Sequence, residues 1–89
     1  MPDTEKKLLT FPCRFPIKII GISREDFADS VHQRILQHAP DYDQSLSKRT
    51  LSSQGKYESI SVVITAVSQE QLDNIYVSLH TIEGVHFVL

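Results

Sequence analysis

The chain is poor in the residues that staple, punctuate or anchor a protein from outside its core. It has one cysteine, Cys13, so no disulfide can form within it and a cysteine-rich zinc site has no ligands to draw on. A secreted domain this small usually carries paired cysteines, so a reducing cytoplasm is the expected setting. Glycine occurs three times and proline four times, too rarely for a collagen-like or Pro/Gly-rich disordered chain. No run approaches the ~20 apolar residues that span a bilayer, and no apolar signal region follows the polar start from Met1 to Lys7. No membrane role is expected. Positive charge is not in excess either. Nine Lys and Arg stand against eleven Asp and Glu, a formal net charge of −2. A dedicated nucleic-acid binder usually carries a basic excess to displace counterions from phosphates, so this balance argues against one.

What remains is the composition of a small folded domain, with 40% hydrophobic and 22% charged residues in 89. That length allows one domain. Folding at this size hides only roughly 60–65% of the unfolded surface, so the core is thin and a large enclosed active-site cavity is not expected.

Residues 1–10 read as a flexible arm and residues 11–89 as the domain. Phe11, Pro12, Phe15 and Pro16 form an extended lead, because proline disfavours helix in the residue before it. Arg14 to Ile22 reads as the first strand. Ser23 with Asp26 three residues on has the form of a helix-starting capping box. Phe27, Val31 and Ile35 then recur at a spacing of four, one apolar stripe on a helix that Pro40 stops. Ser45 to Leu51 reads as a polar edge strand, with Lys48 and Arg49 discouraging sheet-to-sheet pairing. Ser52 to Gly55 looks like a hairpin loop with a positive-φ glycine. Tyr57 to Val67 is the strongest strand by its alternation. Ser68 with Gln71 repeats the capping box, and Leu72, Ile75, Tyr76 and Leu79 form a second helical stripe. Gly84 breaks the chain before a last strand, Val85 to Leu89.

Strand, helix, strand, strand, helix, strand is the order of the ferredoxin-like fold. One apolar stripe per helix places both helices on one face of a four-stranded antiparallel sheet, with expected order 4-1-3-2.

Several segments together resemble the YbeD-like domain family: the run from Phe11 to Gly21, the hairpin segment from Ser52 to Ser61, His38-Ala39-Pro40, and the closing Val88-Leu89. Gln54 stands where the family pattern has a lysine before the glycine, and the turn after Pro40 is longer. The resemblance implies a small bacterial protein with a fold similar to ACT domains, which sense amino acids or other small ligands and often pair through their sheets.

The residues themselves point to contact rather than chemistry. His32, His38, His80 and His86 show no H-x-x-x-H spacing, and a metal site needs about three or four converging ligands. Cys13 lies between Pro12 and Arg14 and could be read as a reactive thiol, but no positioned base accompanies it. No catalytic residue, metal or cofactor is therefore assigned. By strand parity the sheet face without helices carries Lys18, Ile20, Val63, Thr65, His86 and Val88, a mixed surface suited to a protein partner, a small ligand or a second copy. The hairpin adds Lys48, Arg49, Ser53, Gly55, Lys56 and Tyr57, a basic tip for an anion or an acidic partner. The expected function is a regulatory or adaptor domain without catalysis. Two alternatives stand beside it. An RNA-binding module would stack bases on the central strands, where only Phe15 and Tyr57 offer rings, at the strand ends. A small anion-handling enzyme would use the hairpin, with Lys56, or the turn from Gly21 to Arg24.

Overall fold

The computed structural model describes residues 10–89, so all but Thr10 of the expected arm lies outside the described residues. Alternation builds the two central strands. In β1 (Cys13–Ile22), Ile17, Ile19 and Gly21 are buried while Lys18 and Ile22 are exposed. In β3 (Tyr57–Ala66), Glu58, Ile60, Val62, Ile64 and Ala66 are buried. Burial at every second residue follows when one face of a sheet is covered and the other is not. The strands pair antiparallel over their full length, from Cys13 opposite Ala66 to Ile22 opposite Tyr57. β2 (Lys48–Leu51) adds to the far side of β3, and β4 (Val85–Val88) to the far side of β1. The resulting order, β2-β3-β1-β4, is the expected 4-1-3-2 read from the other edge.

The helices α1 (Phe27–His38) and α2 (Gln69–His80) cover one face of this sheet. Phe27, Val31 and Ile35 from α1 and Leu72, Ile75 and Leu79 from α2 join the inward strand residues in a single core. Cys13 and Phe15 pack half-buried against it. The helices are also tied to each other by hydrogen bonds. Ser68 Oγ caps α2 by accepting from the Gln71 N–H at 3.0 Å, and Gln71 Oε1 accepts from the Val67 N–H at 2.7 Å. That second bond diverts Val67 from the ladder, so β3 ends one residue earlier than the alternation suggests. Gln71 Nε2 then donates to the His38 carbonyl at the end of α1, at 2.8 Å. Near the other end of α2, Arg34 donates to the Ser78 carbonyl at 2.8 Å and to Thr81 Oγ1. The His38 and Ser78 carbonyls lie in the last turns of their helices, where carbonyls lack the regular intrahelical partner.

Three local expectations change. Ser23 does not cap α1: the helix starts after Asp26, whose side chain makes no capping bond, and Ser23 Oγ donates to Glu58 instead. A cross-sheet partner has won over the local one. The expected strand from Ser45 begins only at Lys48, because Asp43 accepts from the Ser45 N–H at 3.0 Å and from Ser45 Oγ at 2.6 Å, winding Gln44–Leu46 into a 3₁₀ turn. The last strand is interrupted. Ile20 faces Phe87 but Gly21 faces Val85, so His86 is an extra residue in β4.

Gly21 is where the structure leaves no room. A Cβ there would lie 2.6 Å from the Gly84 carbonyl oxygen and 2.7 Å from Phe27 Cε1. Gly84 itself has a φ of 92°, a conformation open to glycine at little cost. We expect Gly21→Ala to lower unfolding stability by about 2 kcal/mol, the range of an overpacked core, as a drop in the urea midpoint at constant slope.

Tyr42 is buried at the margin of the core, and its hydroxyl lies 3.0 Å from His32 Nδ1 with the rings stacked. Burial pushes the Tyr42 phenol up and the His32 imidazole below its ordinary value of 6.5, although Asp29 pulls His32 the other way. The unfolded chain then binds more protons than the folded one as pH falls through 6.5, so stability is full above that pH and declines below it. His32→Gln should flatten the loss of stability seen in urea melts between about pH 7.5 and about pH 5.5.

Candidate functional site

Side chains directly opposite each other in a sheet share a face. On the side away from the helices, Lys48, Ser61 and Lys18 form one row, and Thr50, Ser59, Ile20 and Phe87 the next. Tyr57 and Ile22 form a third. Pro16 with Val63 and Arg14 with Thr65 extend the face toward the start of β1. Lys18, Ile20, Val63, Thr65 and His86 therefore lie together on the uncovered face, as parity suggests.

Val88 does not. It stands opposite Ile19, on the helix side, and packs against the core. The extra residue at His86 is the cause. It shifts the alternation of β4, so that Val85 and Val88 turn inward and Phe87 turns outward beside Ile20. Phe87 is 58% exposed. With Ile20, Tyr57 and His86 it lines a shallow apolar depression of about 330 Å³. The His86 ring meets Tyr57 edge-on with centroids 5.8 Å apart. Phe87 is the functional candidate that strand parity misses. The signal for it was Gly21, because an isolated glycine inside a strand pattern marks a bulge or a close backbone approach. Leu89, bonded to the Lys18 backbone in both directions at 2.8 and 3.0 Å, continues the face. It lines a second depression of about 370 Å³ with Pro16, Lys18, Leu46, Lys48 and Val63.

The hairpin group separates. Gly55 has a φ of 71°, as the loop requires, and its N–H donates to the Ser52 carbonyl at 2.9 Å. Ser53, Gly55 and Lys56 form the exposed tip, with Lys56 Nζ 5.8 Å from the centre of the Tyr57 ring. Tyr57 belongs to the open sheet face, and Lys48 lies at the far end of β2 from the tip. Arg49 leaves the group altogether. It stands opposite Ile60 on the helix side, and its Nε meets Glu58 Oε2 at 2.5 Å. An inward cation on an edge strand still deters pairing, but it is not a free anion contact.

Glu58 explains that turn. Its side chain is fully enclosed. Oε1 accepts from Ser23 Oγ at 3.0 Å and from the Arg24 N–H at 3.3 Å, while Arg49 holds the carboxylate from the other side. A buried charge needs such a set of partners. These are the donors that the turn from Gly21 to Arg24 would offer a bound anion, and the protein's own carboxylate occupies them. The Arg24 side chain points away, toward Asp26 at 3.6 Å and Glu83 at 3.5 Å, in exposed pairs. Among the described residues no three metal-ligating side chains converge. We expect Glu58→Leu to cost about 3 kcal/mol and Arg49→Met about 2, since each strands a partner of a buried pair. Arg24→Ala should cost under about 0.5 kcal/mol, the scale of a surface pair. Urea unfolding of the three variants checks the order.

A family described as "Protein of unknown function (DUF493)" matches residues 6–89. A UPF0250 protein of Shewanella woodyi is 44% identical over 91 residues, covering all of both chains. One from Azotobacter vinelandii is 43% identical, over 98% of this chain and 96% of its own. Among solved structures, protein HP0495 from H. pylori superimposes with a TM-score of 0.74 at 16% identity, covering 100% of this chain and 94% of that one. The ACT domain from GTP pyrophosphokinase of Chlorobium tepidum gives 0.62 at 16% identity, over 85% of this chain and 94% of that domain. The two structural likenesses establish the fold, ACT-like and ferredoxin-like. No described helix is long and apolar enough to cross a membrane. By sequence over nearly its whole length, this chain belongs to the DUF493/UPF0250 family of small bacterial proteins, the YbeD-like family.

Proposed function

We propose that this protein acts by contact and not by catalysis, as a regulatory or adaptor module that presents its uncovered sheet face to a protein partner. The observation that carries this reading is the grouping of Ile20, Ile22, Tyr57 and Phe87 on a face that no helix covers. Single exposed apolar residues are ordinary on a soluble protein, whereas contiguous ones mark a contact site. The depressions on this face are shallow and open, a shape that suits an extended partner better than an engulfed small molecule. The anion-handling alternative loses the donors of the turn from Gly21 to Arg24 to Glu58 and keeps only the exposed hairpin tip at Lys56. The RNA alternative loses Phe15, which stands opposite Ile64 and packs on the core, and the rings that remain on the face, Tyr57, His86 and Phe87, lie at its edge around one depression. The centres of β1 and β3 offer Lys18, Ile20, Ser59, Ser61 and Val63 in place of a stacking platform. The fold shared with an ACT domain fits a role in binding.

The test is amide shift mapping of the labelled protein against an extract of its own cells, split into small-molecule and macromolecular pools. The macromolecular pool should broaden the amides of Ile20, Tyr57 and Phe87. Phe87→Glu and Ile20→Glu, each still folded, should weaken that binding by roughly 30-fold, the scale of a hot-spot loss. Unchanged binding by both variants would overturn the reading, and shifts from the small-molecule pool alone would replace the protein partner by a ligand.

A further inference from the structure

The molecule's charges are sorted by layer. Strand side chains that face away from the helices include Arg14, Lys18 and Lys48, with His86 at the edge, and no carboxylate. The described Asp and Glu residues sit at the start of α1, in the turn after it, on α2 and before β4, except for Glu58, which is turned inward. In a chain of net charge −2, the charged strand side chains described on this face are thus all basic. Neither Lys18 nor Lys48 makes an ion pair with a described residue. They flank Ser61 in one row, so their backbones lie roughly 10 Å apart by ordinary strand spacing. The apolar depression at Ile20, Tyr57 and Phe87 begins in the adjacent row.

Charge and apolar surface together specify an occupant. We infer that the partner is a protein segment that is acidic and amphipathic, with carboxylates for Lys18 and Lys48 and one large apolar side chain for the depression at Ile20, Tyr57 and Phe87. The inference rests on the sheet-face reading above and adds the partner's chemistry. A second copy set face to face brings Arg14, Lys18 and Lys48 of both chains to one seam with no acidic strand side chain there to pair them. RNA supplies negative charge, but the rings of this face, Tyr57, His86 and Phe87, gather around the depression at one end of it, and the lysine row itself offers only Ser61, between aliphatic Val63 and Ile20.

Four defined polymers decide the matter: a glutamate–tyrosine copolymer, polyglutamate, a lysine–tyrosine copolymer and poly(U) RNA, each titrated into the labelled full chain. The glutamate–tyrosine copolymer should shift the amides of Lys18, Ile20, Ser61 and Phe87. Its affinity should fall about tenfold between about 50 and about 300 mM salt, as screening predicts. It should fall about tenfold again when Lys18→Glu and Lys48→Glu are combined, with Lys18→Gln and Lys48→Gln as the milder pair should the reversal perturb folding. Polyglutamate, lacking the anchor, should bind about tenfold more weakly. Equal binding of the lysine–tyrosine copolymer would overturn the acidic partner while leaving the sheet face as the contact. Tighter binding of poly(U) than of either acidic polymer would make the partner a nucleic acid. Shifts confined to the helix layer would remove both readings. No shift with any probe at low salt would overturn the acidic segment alone, the sheet face then resting on its own capture test.

Discussion

A missing side chain and a buried carboxylate, opposite each other in the central strand pair, organise one end of this molecule. Gly21 stands across from Glu58 in the ladder. Without a Cβ at position 21, the Phe27 ring and the Gly84 carbonyl both approach the backbone of β1, closer than any other residue would permit. The start of α1 and the approach to β4 are thereby drawn onto the same spot. Glu58 ties the remaining pieces, with the turn after β1 on one oxygen and the edge strand β2 on the other. Four segments distant in sequence meet through these two residues. A carboxylate enclosed this fully is tolerated only because every donor around it is engaged.

The same constraint shapes the surface on the other side of the sheet. Close packing at Gly21 coincides with the extra residue in β4, and that residue decides which β4 side chains see solvent. A regular strand would bury Phe87 and expose Val88. The bulge does the reverse, placing a large aromatic beside Ile20 and within reach of Tyr57. Bulges commonly re-aim side chains at working surfaces, and the exposed apolar group here is a direct product of one. Layer sorting of charge follows from the fold in a plainer way. The helices and the turns beside them carry the described acids other than Glu58, the uncovered strand positions carry Lys18 and Lys48, and the sheet keeps them apart. Their partial cancellation in the net charge hides a face of one sign, and it is the local field that a partner meets.

Much of this was legible in the sequence because it rests on period and on local capping. Alternation marked β1 and β3, spacings of three and four marked the two helical stripes, and Ser68 with Gln71 marked the start of α2. These signals depend on neighbours a few residues away, so a chain read in isolation carries them. Gly55 in its loop and the order of elements belong to the same class, and with them came the sheet order and the layer arrangement. Five of the six sheet-face residues, all but Val88, followed from parity alone.

What only the tertiary structure decided were contests between local and distant partners. Ser23 had a local role available as a helix cap and took Glu58, thirty-five residues away, instead. Arg49 read as a free basic residue and was drawn inward by the same carboxylate, so the basic hairpin shrank to its tip. Val88 and Phe87 exchanged faces because one residue was inserted opposite a glycine, and a shift of one reverses every side chain beyond it. A buried charge and a close backbone contact are properties of a place in space. No window of sequence contains the residues that create that place, so the chain determines them only by folding.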